Sequence, residues 1–283
     1  MNVYRPNPSS AIGNLSLCMA THAIGCIQNR QPVLYHKDVL LYGRGELIDF
    51  SNVCDDDVPV DNGYGRIYGL IHLHFPDIHT LMKQIFQPSK RLRSYMDTLR
   101  PKLLKCVAAF HIRRGTLAED SKKFSFLPAA SDAAVASMIR EANSLGEPVY
   151  VLSDSESTKK LFLDSVPKAV SLDLTMGFTS DEQSQHKRVE PEDLQLKMNS
   201  FAEWFLMSEM SAVYMTTGGI NGRNVDTVVE EGITTTFSYS AALYGGKIPH
   251  YVFNDGYIFY PDGKNRPEKR YYWSDMSLKD TPE

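Results

Sequence analysis

Long apolar runs, closely spaced cysteines and an excess of basic charge are all missing from this chain. No apolar stretch approaches the roughly 18 residues that a membrane-spanning helix requires. Lysine and arginine number 30 against 34 aspartate and glutamate, and the net charge of −4 argues against a general nucleic-acid binder. The cysteines lack metal-ligand spacing and indicate free thiols in a reducing compartment: Cys18, Cys26, Cys54 and Cys106. The first ten residues hold no hydrophobic signal core. We therefore expect a cytoplasmic protein without a membrane span.

Strands and helices alternate along the second half of the chain. Apolar runs predict strands at residues 107–112, 149–152, 169–172, 212–217 and 234–237, with helices between them. Ser131 before one helix and Gly146 after it are typical capping residues. In the first half, apolar positions at helical spacing over residues 15–27 precede a predicted strand at 33–35. This alternation predicts an α/β fold with parallel sheets.

The most informative segment follows the strand at 107–112. The apolar run stops at His111, and Arg113 and Arg114 come next. Open α/β sheets bind ligands at the carboxyl ends of their strands, and a guanidinium group suits phosphate. We predict an anion site for a nucleotide here. The alternative is a surface loop with two solvated arginines.

A glycine-rich segment after the strand at 212–217 is a second candidate anion site. Residues 216–223 are T-T-G-G-I-N-G-R. Glycines let the backbone approach a ligand, and the start of the following helix would offer unpaired N–H groups; the alternative is a flexible turn. Asp154 ends the strand at 149–152, as a site residue or as a helix cap. Because the carboxyl ends of parallel strands share one edge, we expect these polar ends to lie together.

Other features suggest different chemistry. Asp55, Asp56 and Asp57 could bind a divalent ion, although the surrounding residues are typical of a solvated loop. His72 and His74 alternate on a predicted strand and face one side, either as part of an active-site face or as half-buried histidines. A dinucleotide oxidoreductase is disfavoured because the glycine-rich segment is not G-x-G-x-x-G.

Three separated motifs resemble those of the fucosyltransferase-like superfamily of GT-B glycosyltransferases. I-G-N at 12–14, before an apolar helix, is similar to the family's Gly-x-Gly-Asn loop, with alanine in place of the first glycine. H-I-R-R-G-T at 111–116 is similar to His-x-Arg-Arg-Gly-Asp, with threonine in place of aspartate. A helix containing Glu203, followed by a strand and a threonine-containing turn, is similar to the third motif. The strand ending in Asp154 fits between the last two, so the resemblance spans residues 11 to about 230.

The resemblance implies a GT-B-like α/β fold in which two Rossmann-type parallel-sheet domains face an interdomain cleft. The acceptor-side domain would cover residues 1–104 and the nucleotide-sugar-binding domain residues 105–250, with a C-terminal tail at 251–283 packing back on the body. It implies an inverting, metal-independent glycosyltransferase that moves a sugar from a nucleoside diphosphate donor to a hydroxyl of a glycan. A non-catalytic nucleotide-sugar-binding module and a metal-dependent transferase are the alternatives.

The donor has two candidates. A short chain without targeting segments resembles the capsid-glycan glycosyltransferases of large chlorella viruses. That similarity favours UDP-xylose as donor, a fucose of a viral capsid N-glycan as acceptor, and a host cytoplasm as location. GDP-fucose is the alternative donor. No further cofactor is implied.

The same resemblance assigns roles to individual residues. Arg113 would bind the donor diphosphate with Arg114 in support, His111 would lie near the nucleotide, and Glu203 would contact the nucleoside. The implied donor-binding set is Gly13, Asn14, His111, Arg113, Arg114, Asp154, Glu203, Thr217, Gly218, Gly219, Ile220 and Arg223. Family members often carry serines at the positions of the first two glycines of the turn, which leaves the identity of the base open.

Inversion requires a base on the acceptor side. The candidates in the first half of the chain are Asp38, Asp49, His72, His74 and Asp77. Asp38 is preferred because it follows the strand at 33–35 and is expected to face the cleft. Asp38 and Arg113 are therefore the two expected catalytic residues.

Overall fold

The computed structural model describes residues 3–6, 12–41, 43–56, 58–59, 75–114, 130–174, 193–217 and 236–260. None of the helices within these ranges is long and apolar enough to cross a membrane.

The first hundred residues form a small parallel sheet, a two-stranded ribbon and surrounding helices. The strands are β1 (Val3–Tyr4), β2 (Leu34–His36), β3 (Ile48–Phe50), β4 (Val53–Cys54) and β5 (Phe86–Pro88). The helices are α1 (Ile12–Gln28), α2 (Arg44–Leu47), α3 (Ile78–Ile85) and α4 (Lys90–Leu99). The parallel sheet has the order β1-β2-β4, and β3 pairs antiparallel with β5. Rings of Tyr4 and Tyr35 contact His22, which packs α1 against the parallel sheet.

The remaining strands form one six-stranded sheet. They are β6 (Ala108–Ile112), β7 (Val149–Ser153), β8 (Ala169–Val170), β9 (Ala212–Thr216), β10 (His250–Val252) and β11 (Ile258–Phe259). The order is β11-β10-β9-β6-β7-β8, in which only β11 is antiparallel to its neighbour. The helices are α5 (Asp132–Leu145), α6 (Glu156–Ser165), α7 (Leu194–Glu209) and α8 (Thr236–Tyr244). All five residues of β6 are buried, as expected of a central parallel strand covered on both faces.

Local sequence explains where the helices begin and end. The Ser131 hydroxyl accepts the N–H of Ala134 at the start of α5, and Gly146 ends that helix with a φ of 67°. Asp193 caps α7 in the same way. These caps satisfy backbone groups that a helix end leaves unpaired.

Helices cover both faces of the six-stranded sheet. Apolar residues of α5 and α6 pack against Phe110 and Ile112 on one face. On the other face, a cluster of buried side chains begins at Ala109 and Tyr150, includes α7 and α8, and continues into α1, α3 and α4. This cluster joins the two halves of the chain, and the division at residue 104 stays a prediction.

The end of one predicted strand is wrong, and one predicted boundary falls inside a strand. Residues 236–237 open α8 instead of ending a strand at 234–237. Threonine and phenylalanine favour strands locally, but burial of α8 between α1 and α7 outweighs that preference. β10 runs through residues 250 and 251, so the start of the expected tail completes the sheet with β11.

Candidate functional site

Three neighbouring strand ends bring polar residues to one edge of the sheet. β6 lies between β7 and β9; Arg113 follows β6, Asp154 follows β7 and Thr216 ends β9. The Arg113 backbone N–H donates to the Thr216 hydroxyl over 2.9 Å, and Arg113 Nε lies 3.3 Å from Asp154 Oδ2. The edge therefore has the arrangement expected from the three polar strand ends.

The two adjacent arginines have different surroundings. The Arg113 side chain is 25% exposed beside Asp154. Arg114 Nη1 donates to the Ala130 carbonyl over 2.6 Å, and its Nη2 donates to Asp132 Oδ1 over 2.9 Å. Arg114 thus joins the end of β6 to the start of α5, and its contact with a donor stays a prediction.

His111 is buried at the same edge, on the face covered by α8. Its Nδ1 lies 2.9 Å from the Ser238 hydroxyl, and the ring centroid lies 5.4 Å from that of Phe237. Burial, and secondarily the charge of Arg113, lowers the pKa of His111 to about 3. The imidazole is therefore neutral at physiological pH, with one nitrogen as donor and the other as acceptor.

The starts of α1 and α8 touch beside His111. A Cβ added to Gly13 would lie 2.6 Å from the backbone nitrogen of Phe237, so only glycine allows this approach. Thr236 Oγ1 donates to Asn14 Oδ1 over 2.7 Å. The I-G-N motif is thus required for helix packing, whatever it contributes to ligand binding.

Glu203 lies on α7 and is buried. Tyr150 donates its hydroxyl to Glu203 Oε1 over 3.3 Å. Tyr150 pairs with Ala109, two residues before His111 along β6. Burial raises the pKa of Glu203 to about 7, although the charge of Lys159 and the hydrogen bond from Tyr150 act to lower it. The structure does not place this carboxyl beside Arg113, and its contact with a nucleoside stays a prediction.

Asp38 lies at the carboxyl end of β2, in the turn Lys37–Leu40. Its Oδ2 accepts the Nε–H of Arg5 over 2.7 Å, and its backbone N–H donates to His36 Nδ1. β1 and β2 are parallel, so Arg5 and Asp38 lie at one edge of the small sheet. The role of Asp38 as a base stays a prediction.

The other expected residues are dispersed or lie outside the described ranges. Asp77 is exposed before α3, and Asp49 on β3 lies 3.8 Å from Arg93. Thr217 donates its backbone N–H to the Val252 carbonyl over 3.1 Å. Outside the described residues lie His72, His74, Gly218, Gly219, Ile220 and Arg223.

The aspartates considered as a metal site do not form one in the described part of the chain. Asp55 is exposed and pairs with Lys37, and Asp57 lies outside the described residues. No cluster of three metal-ligating side chains occurs among the residues that the structure describes.

Comparison with known proteins identifies the fold. No protein-family model matches the sequence, and no curated protein matches it either. Among solved structures, NodZ α-1,6-fucosyltransferase with GDP matches 91% of this chain and 96% of its own, with a TM-score of 0.53 and 10% identity. Fucosyltransferase NodZ from Bradyrhizobium gives a TM-score of 0.51 at 10% identity, over 91% and 96% of the two chains. A variant of Arabidopsis thaliana FUT1 with GDP gives 0.52 at 11% identity, over 88% and 70%.

The chain has the fold of these fucosyltransferases. The expected GT-B-like α/β fold is confirmed, with parallel sheets in both halves of the chain. In such sheets the carboxyl edge binds ligands, and here that edge holds Arg113, Asp154 and Thr216.

Charges of both signs meet at this edge. The amino ends of α1 and α8 carry partial positive charge, and the full positive charge of Arg113 is paired with the carboxylate of Asp154. Thr236 and Ser238, which complete this edge, were missed from the sequence because a strand was predicted over 234–237. The hydroxyl residues of T-F-S-Y-S alternate with aromatic ones, which is the two-residue period of a strand, so the local pattern gave no signal for a helix here.

Proposed function

We propose that this chain is a glycosyltransferase that binds a nucleoside diphosphate sugar at the carboxyl edge of the six-stranded sheet. The observation that supports it most is the placement of Arg113 between Thr216 and Asp154, in the fold of the fucosyltransferases. A guanidinium group held at a strand end suits a diphosphate.

GDP-fucose is the proposed donor. NodZ α-1,6-fucosyltransferase is described with GDP and with GDP-fucose, and the FUT1 variant with GDP. These neighbours favour GDP-fucose over UDP-xylose, the donor preferred from the sequence. UDP-xylose is therefore the competing donor in the test below.

The proposed reaction breaks the bond between the anomeric carbon and the β-phosphate oxygen while the acceptor oxygen bonds to that carbon from the opposite face. The leaving phosphate gains negative charge, which Arg113 and the amino ends of α1 and α8 would stabilise without a metal. Neutral His111 would donate or accept one hydrogen bond without repelling the cationic sugar.

The acceptor hydroxyl must lose its proton to a base, and Asp38 is the proposed one. Asp38 lies at the carboxyl edge of the β1-β2-β4 sheet. α1, the helix that follows β1, begins where it contacts the start of α8, beside His111. Because this contact links the two halves of the chain, it supports an acceptor site between the carboxyl edge of the small sheet and that of the six-stranded sheet. A glycan is the proposed acceptor, and the cytoplasm the proposed location.

Thermal denaturation with GDP, UDP, GDP-fucose and UDP-xylose tests the donor. A ligand that binds only the native state adds about 2.7 kcal/mol of stability at 100 times its Kd. We expect GDP and GDP-fucose to raise the Tm most, and GDP-fucose to support transfer to a fucose-accepting glycan. A larger rise with UDP-xylose would assign the xylose donor, and no rise with any of the four would contradict the proposed function.

Two matched variants test whether the nucleotide binds beside Arg113. The Arg113→Ala variant should show a much smaller Tm rise with GDP than the native chain, whereas Arg93→Ala, on the exposed side of α4, should respond as the native chain does. Equal responses of both variants would place the nucleotide elsewhere.

A further inference from the structure

Asp154 holds both residues that follow β6. Its Oδ1 accepts the backbone N–H of Arg114 over 2.7 Å, and its Oδ2 lies 3.3 Å from Nε of Arg113. The carboxylate is only 8% exposed, against 25% for the Arg113 side chain. One carboxylate therefore constrains the direction of the Arg113 guanidinium from the neighbouring strand.

Asp154 is itself held on both sides. The Ser153 hydroxyl donates to the Ile112 carbonyl over 2.9 Å, which ties the ends of β7 and β6 together. Ser155 caps α6 by accepting the N–H of Thr158 over 3.2 Å. The carboxylate thus stands on backbone fixed by a strand and by a helix start, and it cannot follow Arg113 through a large movement.

Arg113 is fixed from the opposite strand as well. Thr216 at the end of β9 accepts its backbone N–H, so the chain of Arg113 is held by β9 and its side chain by β7. A long side chain that is already oriented loses less conformational freedom when a ligand binds. Orientation of this kind favours binding of a planar or forked anion.

We propose that Asp154 is a positioning residue that orients the Arg113 guanidinium toward the diphosphate of the donor. This inference rests on the proposed function. The negative charge of Asp154 opposes an incoming diphosphate, so the carboxylate and the orientation it provides act in opposite directions. Orientation of the guanidinium outweighs repulsion by the carboxylate, and removal of the carboxylate therefore weakens diphosphate binding.

Calorimetric titration of the full chain with GDP and with guanosine tests this. We expect Asp154→Ala to weaken GDP binding about 10- to 100-fold, the range for misplaced binding groups, and to leave guanosine binding unchanged. Asp154→Asn keeps the volume and can still accept the Arg114 N–H, but it offers Arg113 no charge. It should show a similar loss, and it carries the test if the alanine variant fails to fold.

Asp132→Asn is the matched control. It removes the carboxylate that faces Arg114, on a side chain that is 95% exposed, and should leave GDP affinity unchanged. A double-mutant cycle distinguishes a positioning role of Asp154 from a purely structural one. In the Arg113→Ala background, Asp154→Asn should have no further effect on GDP affinity, because the group that it orients is gone.

Unchanged GDP affinity of both Asp154 variants would overturn the inference. Tighter GDP binding by Asp154→Asn would show that repulsion dominates. Equal losses for GDP and guanosine, or additive losses in the cycle, would show a general structural role. If UDP binds in place of GDP, the same series applies with UDP and uridine. Failure of the native chain to bind either diphosphate would overturn the proposed function and this inference together.

Discussion

Asn14 and Thr236 lie 222 positions apart in the chain and are joined by a hydrogen bond of 2.7 Å between their side chains. Through this bond the start of α1 holds the start of α8. Ser238, in the first turn of α8, contacts His111 at the carboxyl end of β6. The geometry of the proposed donor site therefore depends on residues from both ends of the described chain.

Gly13→Ala should disturb the contact between the start of α1 and the start of α8. The new Cβ would lie 2.6 Å from the backbone nitrogen of Phe237, and backbone cannot yield as a flexible side chain does. We expect a loss of about 1–3 kcal/mol in the free energy of unfolding, as for other overpacked sites, and weaker GDP binding. Chemical denaturation and calorimetric titration measure the two effects.

Gly25→Ala is the control in the same helix. A Cβ at this position meets nothing within 4 Å, so the substitution should stabilise α1 by up to about 1 kcal/mol. If both alanine variants behave alike, close packing of α1 on α8 is not the reason for Gly13.

Arg113→Ala should affect sugar transfer, whereas Arg114→Ala should affect the stability of the fold. Arg113→Ala removes the proposed diphosphate contact and should abolish transfer while the Tm changes little. Arg114→Ala removes bonds to Ala130 and Asp132, and should lower the free energy of unfolding by about 1–3 kcal/mol while measurable transfer remains. Thermal melts with transfer assays separate the two. Full transfer by Arg113→Ala would contradict the assignment.

His111→Gln should change stability in acid. The folded chain keeps His111 neutral down to a pKa of about 3, whereas the unfolded chain takes up a proton below about 6.5. Native stability therefore falls as pH decreases from about 6.5 to 3, by a few kcal/mol. The variant should lose this contribution, as denaturant titrations at pH 4 and 7 would detect. His79→Gln, on α3, is the control, and parallel pH profiles of His111→Gln and the native chain would refute a neutral buried imidazole.

Glu203→Gln should change the stability of the folded chain at neutral and alkaline pH rather than in acid. Burial raises the pKa of Glu203 from 4.5 to about 7, so the folded chain retains a proton that the unfolded chain releases. Native stability from this group decreases as pH rises from about 4.5 to about 7, by about 3 kcal/mol. The variant should match the native chain near pH 4.5 and be more stable at pH 8.

Glu209→Gln on the same helix supplies the comparison for Glu203. Its carboxylate is 39% exposed and paired with Arg100, so its removal should cost less than about 1 kcal/mol. Loss of stability in Glu203→Gln at pH 8 would mean that the buried carboxylate is stabilised by a partner, against the effect of burial.

Sequence patterns predicted the elements whose causes are local. The apolar run that became β6, the cap at Ser131 and the glycine at 146 each act within a few residues, and each lies where it was predicted. The polar residues after β6 and β7 could be placed at one edge because parallel strands end on the same side of a sheet.

Contacts between residues that are distant in the chain determined the features that the sequence patterns did not predict. The sequence alone determined an α/β chain with polar residues at the carboxyl ends of its strands, because hydrophobic periodicity and capping are local properties. Only the tertiary structure gave Arg113 and Arg114 different partners, formed a helix from residues 236–244 and paired Glu203 with Tyr150. Those outcomes depend on which surfaces pack together, and packing joins side chains that more than a hundred residues can separate.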